Sequence, residues 1–275
     1  MKIHRFYIKD IIFTEKIILT KKDYPNTHNQ MVNVLKLQKE ELVTLFNSYS
    51  NNSTENKVEQ SGFDYTYVIK GLGHKEVMLI LKEKNENKID KTLKDRPKIN
   101  LYIANIKKDK LEWSVEKAVE LGVSNIFLLD TERTQKQNIK INSTESSAER
   151  LNKITIEAGE QCGRGEVATT HETQDLSKIL EDIKSGTDKI SKDLNYACLI
   201  PKHSIDTAEH KEKMFHTQDI KSNINIFIGP EGGWTEKEEG LFESLALENK
   251  INILNLGPTI LRAETAAICA ISKFV

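Results

Sequence analysis

Ile228-Gly229-Pro230-Glu231-Gly232-Gly233-Trp234-Thr235 leaves an apolar run, turns through three glycines and a proline, and enters a stretch of helical composition. The run before it, residues 224–228 (INIFI), is short and dense in β-branched and aromatic side chains, as a strand buried on both faces requires. Thr235 followed by Glu238 is a capping-box pair and starts a helix over 236–247. Strand, turn and helix in that order are the unit from which parallel α/β sheets are assembled. The glycines supply bare backbone that a ligand can approach closely, although turn geometry alone would also account for them. The spacing is neither GxGxxG nor GxxxxGK[ST], so neither a dinucleotide nor a triphosphate cradle follows.

Outward from this turn the same alternation continues. Strands are predicted at 99–104, 126–129, 166–169, 196–200 and 251–254, and helices at 111–121, 147–161, 175–183 and from Arg262. In 111–121, Leu111, Val115, Ala118 and Val119 share one face. The expected fold class is α/β: a mostly parallel sheet covered by helices over residues 99–275. The first 83 residues read differently. Short β-like runs at 3–8, 16–19, 42–47, 65–69 and 77–81, with one helix at 28–37, argue for a small barrel or sandwich. Residues 48–60 (SYSNNSTENKVEQ) form a polar tract read as an exposed loop, and 84–98 read as a linker.

The net charge of −1 conceals an asymmetry. Residues 1–98 carry 18 Lys+Arg and 13 Asp+Glu, whereas the remainder carries 22 and 28. A basic module attached to an acidic one is a hint of nucleic-acid contact. Only six cations are arginine: Arg5, Arg96, Arg133, Arg150, Arg164 and Arg262. The abundant Lys, Asn and Ile read as a habit of composition. No apolar run reaches the roughly 20 residues of a membrane-spanning helix, and no secretory signal pattern opens the sequence, so a cytoplasmic location is expected. Cys162, Cys198 and Cys269 fit neither a disulfide framework nor a zinc site, and His203, His210 and His216 lack metal-ligand spacing. No metal is expected.

Ligands of open parallel sheets bind beyond the carboxyl ends of the strands. Two further loops of that kind stand out: Leu199-Ile200-Pro201-Lys202-His203, and Leu256-Gly257-Pro258-Thr259-Ile260-Leu261-Arg262. The second runs into a helix start that carries Arg262, Glu264 and Thr265 among small apolar residues. Such charges point into a site or an interface, or pair with each other. In Glu157-Ala158-Gly159-Glu160-Gln161-Cys162-Gly163-Arg164 a helix end presents an arginine on a glycine turn. Arginine suits bidentate contact with phosphate or base edges, and solvated surface charge is the alternative.

These segments, together with Leu111-EWSVEKAVELG-Val123, resemble the bacterial RsmE family of SPOUT-superfamily methyltransferases. Met1-KIHRFYI-Ile8 and Met31-VNVLKLQ-Lys39 are similar to that family's PUA-like RNA-binding domain. The resemblance implies domains at 1–83 (a PUA-like β-barrel) and 99–275 (a SPOUT domain with a C-terminal trefoil knot). It implies transfer of a methyl group from S-adenosylmethionine to N3 of a uridine in 16S ribosomal RNA, by a homodimer. Carried over position by position, Leu199, Pro201, Ile228, Gly229, Glu231 and Gly232 would line the cofactor pocket. So would Leu256, Gly257, Ile260, Leu261, Arg262, Thr265 and Ala266. Glu264 would be base or uridine anchor, Arg262 would hold a carboxylate or phosphate, and Arg164 would place the target nucleotide. Arg5, Lys36 and Arg164 would contact RNA. Lys36 and Thr259 stand where family members often carry arginine, which weakens the expected RNA contacts because lysine lacks the bidentate fork. Another SPOUT methyltransferase acting on a different RNA position, and a non-catalytic RNA-binding assembly factor, are the alternatives.

Overall fold

The computed structural model describes residues 3–9, 11, 13–47, 62–93, 96–134, 147–187, 189–199 and 222–275. The chain divides into two compact units, one made of residues 1–94 with 159–167 and the other of 95–158 with 168–275. The polar tract 48–60 and Pro201 lie outside the described residues.

In the first unit β1 (His4–Tyr7), β2 (Lys16–Thr20), β3 (Leu42–Phe46), β4 (Phe63–Leu72) and β5 (Glu76–Glu86) form one sheet in the order β1-β3-β4-β5-β2. β1 runs parallel to β3 and the other pairs are antiparallel. Register shifts between Thr66 and Tyr67 and between Ile69 and Gly71 bend the long β4–β5 ribbon, as bulges do. One face buries Leu19, Met31, Val43, Leu45, Tyr67, Ile69, Val77 and Leu79. The helix expected over 28–37 is shorter and earlier. Pro25, pre-set for a first helical turn, opens α1 (Pro25–Asn29), which widens into a π turn at Gln30–Val34. Much of the expected linker is structured: β5 continues to Glu86 and α2 spans Lys88–Leu93.

The second unit holds β6 (Ile99–Ala104), α3 (Lys108–Glu120), β7 (Asn125–Asp130), α4 (Ser147–Cys162, whose last turn belongs to the first unit), β8 (Thr169–Asp175), α5 (Leu176–Ser185), β9 (Leu194–Cys198), β10 (Ile224–Ile228), α6 (Glu236–Leu247), β11 (Asn252–Leu254) and α7 (Ala263–Ser272). The six strands are all parallel, in the order β11-β9-β10-β6-β7-β8. The central strands β6 and β10 are buried along their whole length, which explains their unbroken apolar runs. Alternate side chains divide between two cores. Ile99, Leu101, Ile103, Ile224, Ile226 and Ile228 face residues of α3, α4 and α7, and Tyr102 and Phe227 face residues of α5 and α6. No helix among the described residues is long and apolar enough to cross a membrane.

The α5/α6 face carries two transverse rows. In the first, Asn125 Nδ2 donates to Asn100 Oδ1 (2.8 Å), Asn100 Nδ2 to Asn225 Oδ1 (2.8 Å), and Asn225 Nδ2 to Asn195 Oδ1 (2.9 Å). His171 Nε2 lies 3.0 Å from Asn125 Oδ1 and extends the row to β8. Two residues further along β6, β7 and β10, Tyr102, Phe127 and Phe227 form the second row, and His171, level with Phe127, completes a ring stack with centroids 4.1–4.8 Å apart while bonding back to the first row. The strand expected at 166–169 is displaced to β8, a largely polar edge strand whose composition lacks the apolar run of a buried one.

Candidate functional site

The end of β9 with Leu199 and the loops after β10 and β11 close on one cleft of about 80 Å³. Leu199, Ile228, Gly229, Glu231, Leu256, Gly257, Ile260, Leu261 and Ala266 line it, as do Cys198, Pro230, Gly233, Trp234, Thr259 and Ala263. Gly232, Arg262 and Thr265 are exposed and fall outside that lining. Trp234, the residue missed with the largest consequence, organises the wall. Its ring is buried, and its indole Nε1 donates to the carbonyl of Cys198 at 2.9 Å, joining the β10 loop to the end of β9. A Cβ on Gly229 would lie 2.9 Å from Trp234 Cε2, so only glycine lets the backbone pass over that ring. Gly233 (φ 69°) and Gly257 (φ 110°) occupy backbone conformations that favour glycine. Burial pushes the Cys198 thiol up in pKa, so at the cleft it is an apolar wall and not a nucleophile.

Polar side chains fix this wall from behind. Glu231 Oε1 accepts from the backbone N–H of Lys107 at 3.1 Å, tying the β10 loop to the start of α3. Glu238, the buried partner in the capping box, accepts from Thr235 N–H through Oε2 and from Glu132 N–H through Oε1. The turn after β7 thereby docks on the start of α6, and Lys237 pairs with Glu132 at 3.2 Å, holding that carboxyl below its ordinary pKa. Arg133 Nη1 donates to the carbonyls of Gly232 (2.7 Å) and Trp234 (2.9 Å). The sequence signalled the capping pair. It did not signal Arg133, which lies 99 positions from Gly232.

The charged candidates are placed differently from expectation. Glu264 is 8% exposed and pairs with Lys110 of α3 at 3.5 Å, not with Arg262. Ala263 and Ala266 bring one face of α7 to the cleft, and a helix turns the next residue about 100° away from Ala263. Arg262 precedes the helix with an exposed side chain at the end of the lining loop. Arg164 is not displayed at the surface as expected: its residue is 3% exposed and belongs to the first unit. The turn that presents it is pinned there, with Asn87 Nδ2 donating to Gly163 O (3.0 Å) and Asp90 Oδ1 accepting from Gly165 N–H (3.1 Å) and Glu166 N–H (3.3 Å). Burial lowers the Arg164 guanidinium pKa and raises that of Asp90. Arg5 is likewise engaged. It pairs with Asp64, donates to Arg164 O at 3.2 Å and lies 4.6 Å over the Phe46 ring. Of the three side chains expected on RNA, only Lys36 is exposed; its backbone is left-handed at φ 50°.

A parallel sheet whose strand ends and glycine-bearing loops meet at one apolar cleft is the architecture of α/β domains that bind a small ligand beyond the strand ends. Residues 93–275 match the RNA methyltransferase domain model, and the chain belongs to that family. It is 29% identical to ribosomal RNA small subunit methyltransferase E of Rickettsia conorii over 99% of this chain and 95% of that one. The Bacillus subtilis protein of the same name is 28% identical over 78% of this chain and 77% of its own. A solved putative methyltransferase of Legionella pneumophila, in complex with bound S-adenosylmethionine, has the same fold. Its TM-score is 0.72 at 24% identity, covering 99% of this chain and 96% of that one. Ribosomal RNA small subunit methyltransferase E of Neisseria gonorrhoeae, bound to S-adenosylmethionine, gives a TM-score of 0.67 at 24% identity, covering 98% and 96%. The α/β class expected from the strand and helix alternation is the observed one. Among the described residues no group of three His, Cys, Asp or Glu could hold a metal ion.

Proposed function

We propose that this chain transfers a methyl group from S-adenosylmethionine to N3 of a uridine in small-subunit (16S) ribosomal RNA. The observation that carries the reading is the convergence of the β10 and β11 loops and the end of β9 on one glycine-walled cleft, in a chain of the RNA methyltransferase family. The residues present fit the cofactor. Gly229 lets the backbone of the turn lie directly on the Trp234 ring, and a Cβ on Gly257 would meet nothing within 4 Å, which leaves open space at that turn. The turns 229–234 and 256–261 offer main-chain N–H and C=O groups to an adenine or ribose edge. Bound there, S-adenosylmethionine supplies an electrophilic methyl group on a sulfonium.

The chain's own residues supply alignment and exclusion of water. Leu199, Ile228, Leu256 and Ile260 provide an apolar wall, and Arg262 offers a guanidinium for a carboxylate or phosphate. Positioning of this kind accounts for a large part of the barrier to a two-substrate displacement. Glu264 is read as a positioning residue: paired with Lys110, it holds α7 on α3 and so holds Ala263 and Ala266 at the cleft. Lys36 is the first unit's candidate contact to RNA phosphates. The proposal includes the C-terminal knot, a cytoplasmic site of action and association of two copies. Ile260 lines the cleft yet is 71% exposed, which supports a partner covering that side.

The test is incubation of the purified chain with labelled S-adenosylmethionine and undermethylated small subunits or their RNA, followed by nucleoside mass spectrometry. N3-methyluridine is expected. Methyl groups on another atom would move the assignment to a different acceptor, and cofactor binding without transfer to any RNA would overturn it.

A further inference from the structure

We propose that Arg133 is a positioning residue for the cofactor site: its guanidinium sets the shape of the 229–234 turn by holding two of its carbonyls at once. The inference rests on the function proposed above and adds a residue from outside every motif of the resemblance. One nitrogen, Nη1, donates to Gly232 O at 2.7 Å and to Trp234 O at 2.9 Å. Charge-assisted bonds of this length are stronger than neutral ones and fix direction as well as distance. Arg133 has an anchored origin from which to reach. Thr131 N–H donates to Thr134 Oγ1 (3.0 Å), the two hydroxyls are 2.6 Å apart, and Thr134 N–H returns to Thr131 O (3.2 Å). Glu238 holds the N–H of Glu132 between them.

The consequence reaches the cleft through Trp234. With its carbonyl held by Arg133, its ring stays under Gly229 and its indole N–H on Cys198 O, so three lining residues depend on one guanidinium. The backbone bond from Gly233 N–H to Pro230 O closes the turn at the other side. A ligand read by main-chain groups needs them within about 0.5 Å of their productive places, and a glycine-rich turn has little stiffness of its own to keep them there. Stiffness is therefore supplied from the loop after β7, a strand separated from β10 by β6 in the sheet order.

The experiment compares Arg133→Met, which keeps the stem packed beside Gly232, with Arg133→Lys, which keeps a shorter-reaching donor. Calorimetry with S-adenosylmethionine and steady-state kinetics against both substrates are read on folded protein. Arg133→Met is expected to weaken cofactor affinity and raise the cofactor KM by about tenfold. The kcat at saturating cofactor should stay within about threefold and the RNA KM should not change; Arg133→Lys should fall between, near threefold. In a Trp113→Phe background, Trp234 emission should shift in Arg133→Met. Should that variant not fold, Arg133→Lys decides alone. Wild-type cofactor affinity in a folded variant, or an effect confined to the RNA KM, overturns the inference. A wild-type chain that binds no cofactor refutes the proposed function instead, and Trp234 emission then decides this one.

Discussion

Asn225 lies at the centre of the asparagine row and is fully buried, and replacing it with alanine separates that row from ordinary core packing. Its amide accepts from Asn100 Nδ2 at 2.8 Å and donates to Asn195 Oδ1 at 2.9 Å. Truncation removes these two bonds in one step, together with a longer one from Asn225 Nδ2 to Asp193 Oδ2 (3.4 Å). Asn100 Nδ2 and Asn195 Oδ1 are left in a dry sheet face, and each orphaned group costs about 1–3 kcal/mol. Rotation of the Asn195 amide gives no escape, because its Nδ2 already donates to Ile190 O (3.0 Å) and Asp193 O (3.2 Å). The expected loss is about 2–6 kcal/mol, and with a urea slope of about 3 kcal/mol/M the midpoint falls by about 0.7–2 M. Both tryptophans of the chain, Trp113 and Trp234, lie in the second unit, so tryptophan emission, excited selectively over tyrosine, follows that unit alone during urea titration. A midpoint within about 0.2 M of wild type, at unchanged slope, would refute the claim that the row stabilises the sheet.

Three further outcomes follow from the geometry. Gly229→Ala places a Cβ 2.9 Å from the buried Trp234 ring, and is expected to reduce S-adenosylmethionine affinity at least about tenfold by calorimetry and to lower the melting temperature by a few degrees, as overpacking does. Glu264→Gln and Lys110→Met should each lower activity modestly and show a coupling of about 1 kcal/mol in a double-mutant cycle, as a partly buried pair does; loss of kcat confined to Glu264→Gln would make Glu264 the base instead. His171 has its pKa lowered by burial, so the unfolded chain binds the proton more readily. Stability should be full above about pH 6.5 and fall as the pH drops towards the folded value, a slope that His171→Gln should abolish in pH-resolved melts.

Much of the second unit was legible because its signals are local. The strand alternation, the glycine turns and the Thr235/Glu238 cap depend on residues a few positions apart, and the cap is formed as read. The post-strand loops that the glycines marked do meet at one cleft. What was missed depends on partners far along the chain. The triplets Asn100-Leu101-Tyr102, Asn125-Ile126-Phe127 and Asn225-Ile226-Phe227 repeat one pattern, yet asparagine was read as a compositional habit. Its meaning appears only when the register sets Asn100 opposite both Asn125 and Asn225. β8 hid for a related reason, since an edge strand needs no apolar run. The Gly163-Arg164-Gly165 turn read as display, and nothing near it in sequence announces that Asn87 and Asp90 close over it.

The arginines show why exposure could not be inferred from rarity. Arg5 and Arg164, the first held against Asp64 and the backbone of the second, belong to the internal structure of the first unit. Arg150 is paired with Glu112 at 3.1 Å. A guanidinium satisfies several carbonyls or carboxylates from one fixed plane, so it suits buried junctions as well as phosphates, whereas lysine is easily hydrated. A chain with 40 cations and only six arginines therefore leaves general attraction to RNA to its lysines. Near the cleft two further arginines are placed differently. Arg133, although exposed, has its Nη1 committed to the carbonyls of the lining turn, whereas Arg262 is exposed at the end of the lining loop. On that division, raising the ionic strength should weaken RNA binding by the wild type and the Arg133 variants in parallel, while the cofactor defect of Arg133→Met stays constant, because a short bond to a carbonyl is screened far less than a solvated phosphate contact.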